Sequence, residues 1–323
     1  MKKRVFFYFI SLILILTPLV SAQGAVIVEV NEAYNFDVLK AMKSISIGEN
    51  SANAVGFEID GQHFGQGTSV NLNITNLGFL SSVSYNISTG GYSEINSINT
   101  LGFYFSILLQ VYEPFSIIND YSNVSEWDQA AADEDPGILI YPFLNNDTST
   151  WNYLLGYVDD AINGTLLDSY PGTDDVETNG SFTNTTTFFM CEIYYEGIYH
   201  HNVTEGSELI LVHSNVKHNL QMAFNKTNGV MLGIRVKGTL SGVANETAIF
   251  IQYEQHTELE GYNLPNFEFG VDITPTPTPS NSTGNPLGDN LPLIIGLSIG
   301  IPVVVAIVVT TIVLVNKKRK SAA

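Results

Sequence analysis

The sequence predicts a mostly β fold with a minor α component: an antiparallel meander or sandwich with one packed helix, followed by a single C-terminal transmembrane helix. Three observations carry this. Apolar residues alternate with polar ones through much of the middle of the chain, which is the period of a half-buried strand. One stretch, Trp151 to Ile162, has helical spacing instead. The run Leu291 to Val315 is 25 residues without a charge and ends against Asn316, Lys317, Lys318, Arg319 and Lys320.

Two strands are read from Thr68 to Thr75 and from Ser82 to Ser88, where Val70, Leu72 and Ile74, then Val83, Tyr85 and Ile87, take every second place. They are expected to pair as a hairpin. A second hairpin joins His218 to Phe224 with Val230 to Leu240 through Asn225-Lys226-Thr227-Asn228-Gly229, whose Asn and Gly residues supply positive φ. Val230, Leu232, Ile234, Val236 and Leu240 are expected on one face, with Met231, Arg235, Lys237 and Thr239 on the other. Glu208 to Val216 is read as the first strand of this meander and Ala248 to Leu259 as the last, with Ile249, Ile251 and Tyr253 inward after a turn at Ser241 to Asn245. In the helix, Trp151, Leu154, Leu155, Val158, Ala161 and Ile162 share a face, Thr148 and Ser149 are cap candidates, and Gly164 is the stop. Leu101 to Tyr112 is apolar throughout and fits a strand or a buried helix. Asp120 to Gly137 and Asp168 to Asn184 read as polar loops.

The two ends carry membrane signals. Lys2, Lys3 and Arg4, the apolar stretch Val5 to Leu16 and the small residues Val20, Ser21 and Ala22 have the order of a signal peptide, residues 1–22. As a helix, Leu291 to Val315 covers roughly 37 Å, against a hydrocarbon core of about 30 Å. Its basic flank, residues 316–323, is expected in the cytoplasm, which places the β-rich domain, residues 23–272, outside a cell membrane. Residues 273–290, opening Ile273-Thr274-Pro275-Thr276-Pro277-Thr278-Pro279, have nothing to bury and form an extended stalk of up to roughly 55 Å. Gly296 and Gly300 have the spacing of a helix-dimer contact within the membrane.

Charge and cysteine usage narrow the function. Between Gln23 and Asn290 stand six basic and 32 acidic residues, a net of −26. That field repels nucleic acid and anionic lipid and favours cations or basic partners. Cys191 is the only cysteine, so no intramolecular disulfide forms; between Phe189 and Ile193 in an alternating run it reads as a buried small residue rather than a reactive thiol.

Eleven Asn-x-Ser/Thr sequons stand at Asn73, Asn86, Asn123, Asn146, Asn163, Asn179, Asn184, Asn202, Asn225, Asn245 and Asn281. This is about twice the chance number for this composition. Asn73 and Asn86 fall on the polar faces of their strands and Asn225 and Asn245 in turns, where a glycan has room.

No motif for nucleophilic, zinc-hydrolytic or phosphate-loop chemistry is present. His200, His201, His213, His218 and His256 lie in the C-terminal third, where adjacent strands can bring two or three together, although their spacing matches no ligand pattern and surface histidines are the simpler reading. Asp175-Val176-Glu177-Thr178-Asn179-Gly180 has the oxygen spacing of half a calcium loop but reaches Thr186 where a glutamate is needed. Calcium at Asp175 and Glu177, or at Asp133 and Asp135, is weighed against solvated charge. No other cofactor is indicated.

The order of signal, β-rich domain, Thr/Pro stalk, single helix and basic tail resembles the choice-of-anchor surface proteins of archaea. Asn31-Glu32-Ala33-Tyr34-Asn35-Phe36-Asp37-Val38 is similar to the opening strand of such domains, and Phe224 to Leu232 to their late hairpin. The resemblance implies surface display and assigns no active residues. The expected function is therefore that of a single-pass cell-surface glycoprotein in display, binding or adhesion, with an extracellular protein as partner and no catalysis. The alternative is a sheet-and-helix cup for a lipid or other hydrophobic ligand. The third is a hydrolase using Asp174, Asp175 or Glu177, which requires two carboxylates to converge in a cleft.

Overall fold

The computed structural model describes residues 28–78, 82–115, 140, 148–205 and 208–270. The expected signal peptide, stalk, membrane helix and tail lie outside these residues, as do Asn123, Asn146, Asn281, Asp133, Asp135, Gly296 and Gly300. Among the described residues no helix is long and apolar enough to cross a membrane.

The strands are β1 (Ala33–Ile47), β2 (Asn50–Val55), β3 (Phe57–Ile59), β4 (Gln62–Phe64), β5 (Thr68–Leu77), β6 (Val83–Thr89), β7 (Tyr92–Ile98), β8 (Asp175–Asn184), β9 (Phe188–Glu205), β10 (Glu208–Asn225), β11 (Met231–Ala244) and β12 (Thr247–Leu259). Among the described residues two helices, α1 (Thr100–Val111) and α2 (Thr148–Ile162), stand between β7 and β8. One ten-stranded sheet runs in the order β7-β6-β5-β1-β12-β11-β10-β9-β8, with β2 also paired to β1, while β3 and β4 form a separate hairpin. All pairings are antiparallel. The two expected hairpins are present as β5–β6 and β10–β11. Two meanders, β5-β6-β7 and β8 to β12, flank β1, and among the described residues no second sheet of comparable size is present.

Five local expectations are corrected. A second helix, α1, packs beside the expected one; Asn99 caps it by accepting from Gly102 N–H at 2.7 Å, and the spacing Phe103, Ile107, Val111 buries one side of it. The polar stretch expected as a loop contains β8, an edge strand paired only to β9 among the described residues. Glu208 to Val216 and His218 to Phe224 are one continuous strand, β10. The expected turn at Ser241 is still strand; the chain turns at Asn245 and Glu246, both at positive φ. Finally, β11 is irregular at its start: Phe224 pairs with Met231 and Ala223 with Gly233, so Leu232 is the extra residue. Met231 is consequently buried and Leu232 only half-buried, the reverse of strict alternation.

The inner face of β9–β12 is the main core. Phe189, Cys191, Ile193 and Tyr195 on β9 face Leu220, Met222 and Phe224 on β10 and Ile234, Val236 and Leu240 on β11. Burial pushes the Cys191 thiol up to about 12, so it is unreactive at neutral pH. α2 covers β8 and β9, with Val158 against Gly180, where a Cβ would come within 3.2 Å. Trp151 contacts Phe189 and Phe224, and Gly164, at φ +74, ends the helix. One polar row crosses this core: Tyr195, His218, Gly238 and Tyr253 are consecutive cross-strand partners. The Tyr253 hydroxyl reaches His218 Nδ1 at 2.6 Å over Gly238, where a Cβ would lie 2.2 Å from that hydroxyl. Tyr195 stacks on His218 and donates to the Val111 carbonyl of α1 at 2.9 Å, tying helix to sheet.

Candidate functional site

The outer face of the other half of the sheet carries a ladder of small polar residues. Phe36, Val70, Leu72 and Ile87 point into the core, so alternation turns Asn35, Asn71 and Ser88 to the outside. Register places them side by side: Asn35 opposite Asn71, Asn71 opposite Ser88, Ser88 opposite Ser93. Glu260, just past β12, is drawn to the end of the row by its N–H bond to the Asn35 carbonyl at 2.9 Å. Side chains then lock one another. Asn35 Nδ2 donates to Glu260 Oε2 at 2.9 Å and Asn71 Nδ2 to Asn35 Oδ1 at 2.8 Å. The β6–β7 turn closes one side through Gly90 and Gly91, both at positive φ, as a two-residue hairpin with this twist requires. Tyr92 follows it, 42 % exposed and held edge-on to Phe64 at 6.0 Å. The result is an open polar cleft of about 530 Å³ lined by these residues with Ser69 and Thr89.

Two sequons adjoin this cleft. Asn73 and Asn86 are cross-strand partners one pleat beyond Asn71 and Ser88, about 7 Å along the strands. Both are half-buried, and the Oδ1 of each is buried without a hydrogen-bond partner among the described residues. Asn163, after α2, and Asn179, Asn184, Asn202 and Asn245 are exposed. Asn225 is half-buried and accepts from Thr227 N–H at 2.8 Å, while Asn245 accepts from Leu211 N–H at 2.8 Å.

The histidines separate. His200 and His213 are opposite one another on β9 and β10, with Nδ1 atoms 2.9 Å apart, and His200 Nε2 lies 3.6 Å from Asp175. Burial and the neighbouring His200 push the His213 pKa down. His218 is in the core, and His256 bonds to Glu258 at 2.8 Å. Among the described residues no group of three or more His, Cys, Asp and Glu side chains is arranged to hold a metal ion. Asp175 and Glu177 stand exposed on β8, in extended backbone rather than a calcium loop, with Asp174 exposed just before them. Asp175 Oδ2 is the oxygen that faces His200.

A second polar row, legible in no sequence pattern, crosses the outer face of β9–β12. Glu192, Gln221, Arg235 and His256 are consecutive cross-strand partners, and residues 262–270 lie over them as a strap. Glu192, 3 % exposed, accepts from the N–H groups of Glu268 and Phe269 at 2.9 and 3.0 Å and from Asn219 Nδ2 at 2.9 Å. Glu258 accepts from Leu264 N–H at 2.7 Å. Arg235 donates to the Pro265 carbonyl at 2.8 Å and lies 3.8 Å from the centre of the Phe267 ring. The row is a fastening for the strap.

Aromatic side chains join α1 and α2 over the described sheet. Tyr104 and Tyr153 pack at 4.1 Å between α1 and α2, and Phe115 sits 5.5 Å from Tyr195 and 4.9 Å from Tyr199, with Tyr170 beside it at 4.9 Å. No family model, curated protein or solved structure matches the chain.

Proposed function

We propose that the chain is a single-pass, membrane-anchored cell-surface glycoprotein whose β domain, residues 23–272, acts in display, binding or adhesion. The observation that supports this reading is the disposition of the sequons. Asn163, Asn179, Asn184, Asn202 and Asn245 are exposed at a helix end, on strands and in a turn, where oligosaccharide transfer meets no packed core. The net charge of −26 between Gln23 and Asn290 suits a solvated exterior domain. Leu291 to Val315 supplies the anchor, with Lys317 to Lys320 on the cytoplasmic side.

Membrane fractions from native material test this in one preparation. The chain is expected in the membrane pellet, labelled by a membrane-impermeant reagent on intact cells, with a mass that falls on deglycosylation. Recovery in the soluble fraction at the unmodified mass would overturn it.

A further inference from the structure

We propose that the cleft between Asn35, Asn71, Ser93, Tyr92 and Glu260 binds a neutral saccharide; this deepens the surface-binding reading and rests on it. A sugar presents adjacent hydroxyls, each both donor and acceptor. Its counterpart is a row of groups that can do both, spaced by a strand repeat, and the Asn35–Asn71–Ser88–Ser93 ladder is such a row. Exposed Asn and Glu side chains ordinarily keep their rotamer freedom and lose it on binding. Here the Asn71–Asn35–Glu260 chain of bonds at 2.8 and 2.9 Å fixes three of them beforehand. Valences remain for a ligand: the Asn71 Oδ1, the second N–H of each amide, the Ser93 hydroxyl and the other Glu260 oxygen.

The chemistry of the lining selects the class. Glu260 is its only charged residue and no cation accompanies it, which disfavours phosphate and acidic sugars. The polar wall disfavours a lipid tail. A volume of about 530 Å³ falls within the range of small-ligand sites, about 300–1,000 Å³. The same chemistry has two sources: a glycan carried by this protein, for which the adjacent Asn73 and Asn86 are the nearest carriers, or an outside one.

The test uses full-length protein from native membranes in detergent, before and after enzymatic deglycosylation. The probes are the methyl glycosides of mannose, glucose and galactose, read by saturation-transfer NMR. Transfer to at least one glycoside is expected, reduced at least tenfold in Asn71→Ala and in Ser93→Arg, which fills the cleft from an exposed strand position. Circular dichroism checks that both variants are folded. Transfer seen only after deglycosylation supports the proposal with the protein's own glycan as occupant; transfer before and after supports it with an outside sugar. No transfer to any of the three in either state, or transfer that both folded variants retain, would overturn it. The mass of the untreated chain reports glycosylation separately, so failure of the surface-glycoprotein reading is distinguishable from failure of the cleft.

Discussion

At the scale of single residues, buried polar groups govern how this domain answers to pH. His218 lies wholly inside the sheet, stacked on Tyr195 and bonded to Tyr253, and burial pushes its pKa down to about 3. The unfolded chain titrates the same ring near its ordinary value of about 6.5. Between those two values the unfolded state binds the proton and the native state does not, so stability falls as the pH drops from about 6.5 toward 3. One such site contributes a slope of about 1.4 kcal/mol per pH unit. Urea unfolding from about pH 7 to about pH 4.5 should therefore show wild type losing stability more steeply than His218→Gln by about that slope per unit. His201, His213 and His256, which burial also lowers, contribute to both proteins and cancel in the comparison. Parallel curves would mean that His218 is protonated in the native core. The same scale sets a limit on sequence reading. His218 looked like any other histidine of the C-terminal third, and its place was decided by Gly238, whose missing side chain makes the gap that the Tyr253 hydroxyl fills.

At the scale of elements, the strap and the edge strand carry the sharpest expectations. Glu192 accepts from two strap N–H groups and from Asn219 in a buried setting. Glu192→Ala leaves those donors unpaired inside the protein and should cost about 3 kcal/mol. Amide exchange at Glu268 and Phe269 should accelerate with it, whereas unchanged protection at both would show that Asn219, Arg235 and Glu258 hold the strap without Glu192. Strand β8 is a different case. It pairs only with β9 among the described residues and exposes Phe182, which leaves an edge that could recruit another chain. Asn179 and Asn184 lie on that strand, and glycans there would block such pairing. The double variant Asn179→Gln/Asn184→Gln from native membranes should associate with rising concentration in light scattering; a monomer throughout would assign protection to exposed charges such as Glu177. These elements also divide the legible from the illegible. The β5–β6 and β10–β11 hairpins and α2 were readable because alternation, Asn/Gly turns and helical spacing are local signals. β8 was not, since an edge strand buries too little to need alternation, and Asp175 to Asn184 therefore reads as polar loop. α1 satisfied both periods, and the signal that separates them is the Asn99 cap. The strap has no period at all, because its partners are backbone groups meeting side chains from four strands.

At the scale of the whole molecule, register does what local pattern cannot. Asn35, Asn71, Ser93 and Glu260 are scattered across the sequence and become neighbours only because β1 stands between β5 and β12, so the cleft follows from topology rather than from a motif. Charge acts over the same span. A net of −26 between Gln23 and Asn290 raises the free energy of the compact state by self-repulsion, more so at low ionic strength, where the Debye length is about 30 Å at 0.01 M against about 8 Å at 0.15 M. Raising sodium chloride across that range should therefore raise the melting temperature. Divalent cations separate this general effect from a specific site. Magnesium and calcium carry the same charge and screen alike, but calcium accepts irregular cages of six to eight oxygens while magnesium insists on an octahedron and keeps its water. Asp175 and Glu177, on an extended strand, form no such cage, so equal concentrations of the two ions should raise the melting temperature of the native protein equally. A larger rise with calcium would reveal coordination elsewhere in the acidic chain and would place Asp133 and Asp135 first among the residues to replace.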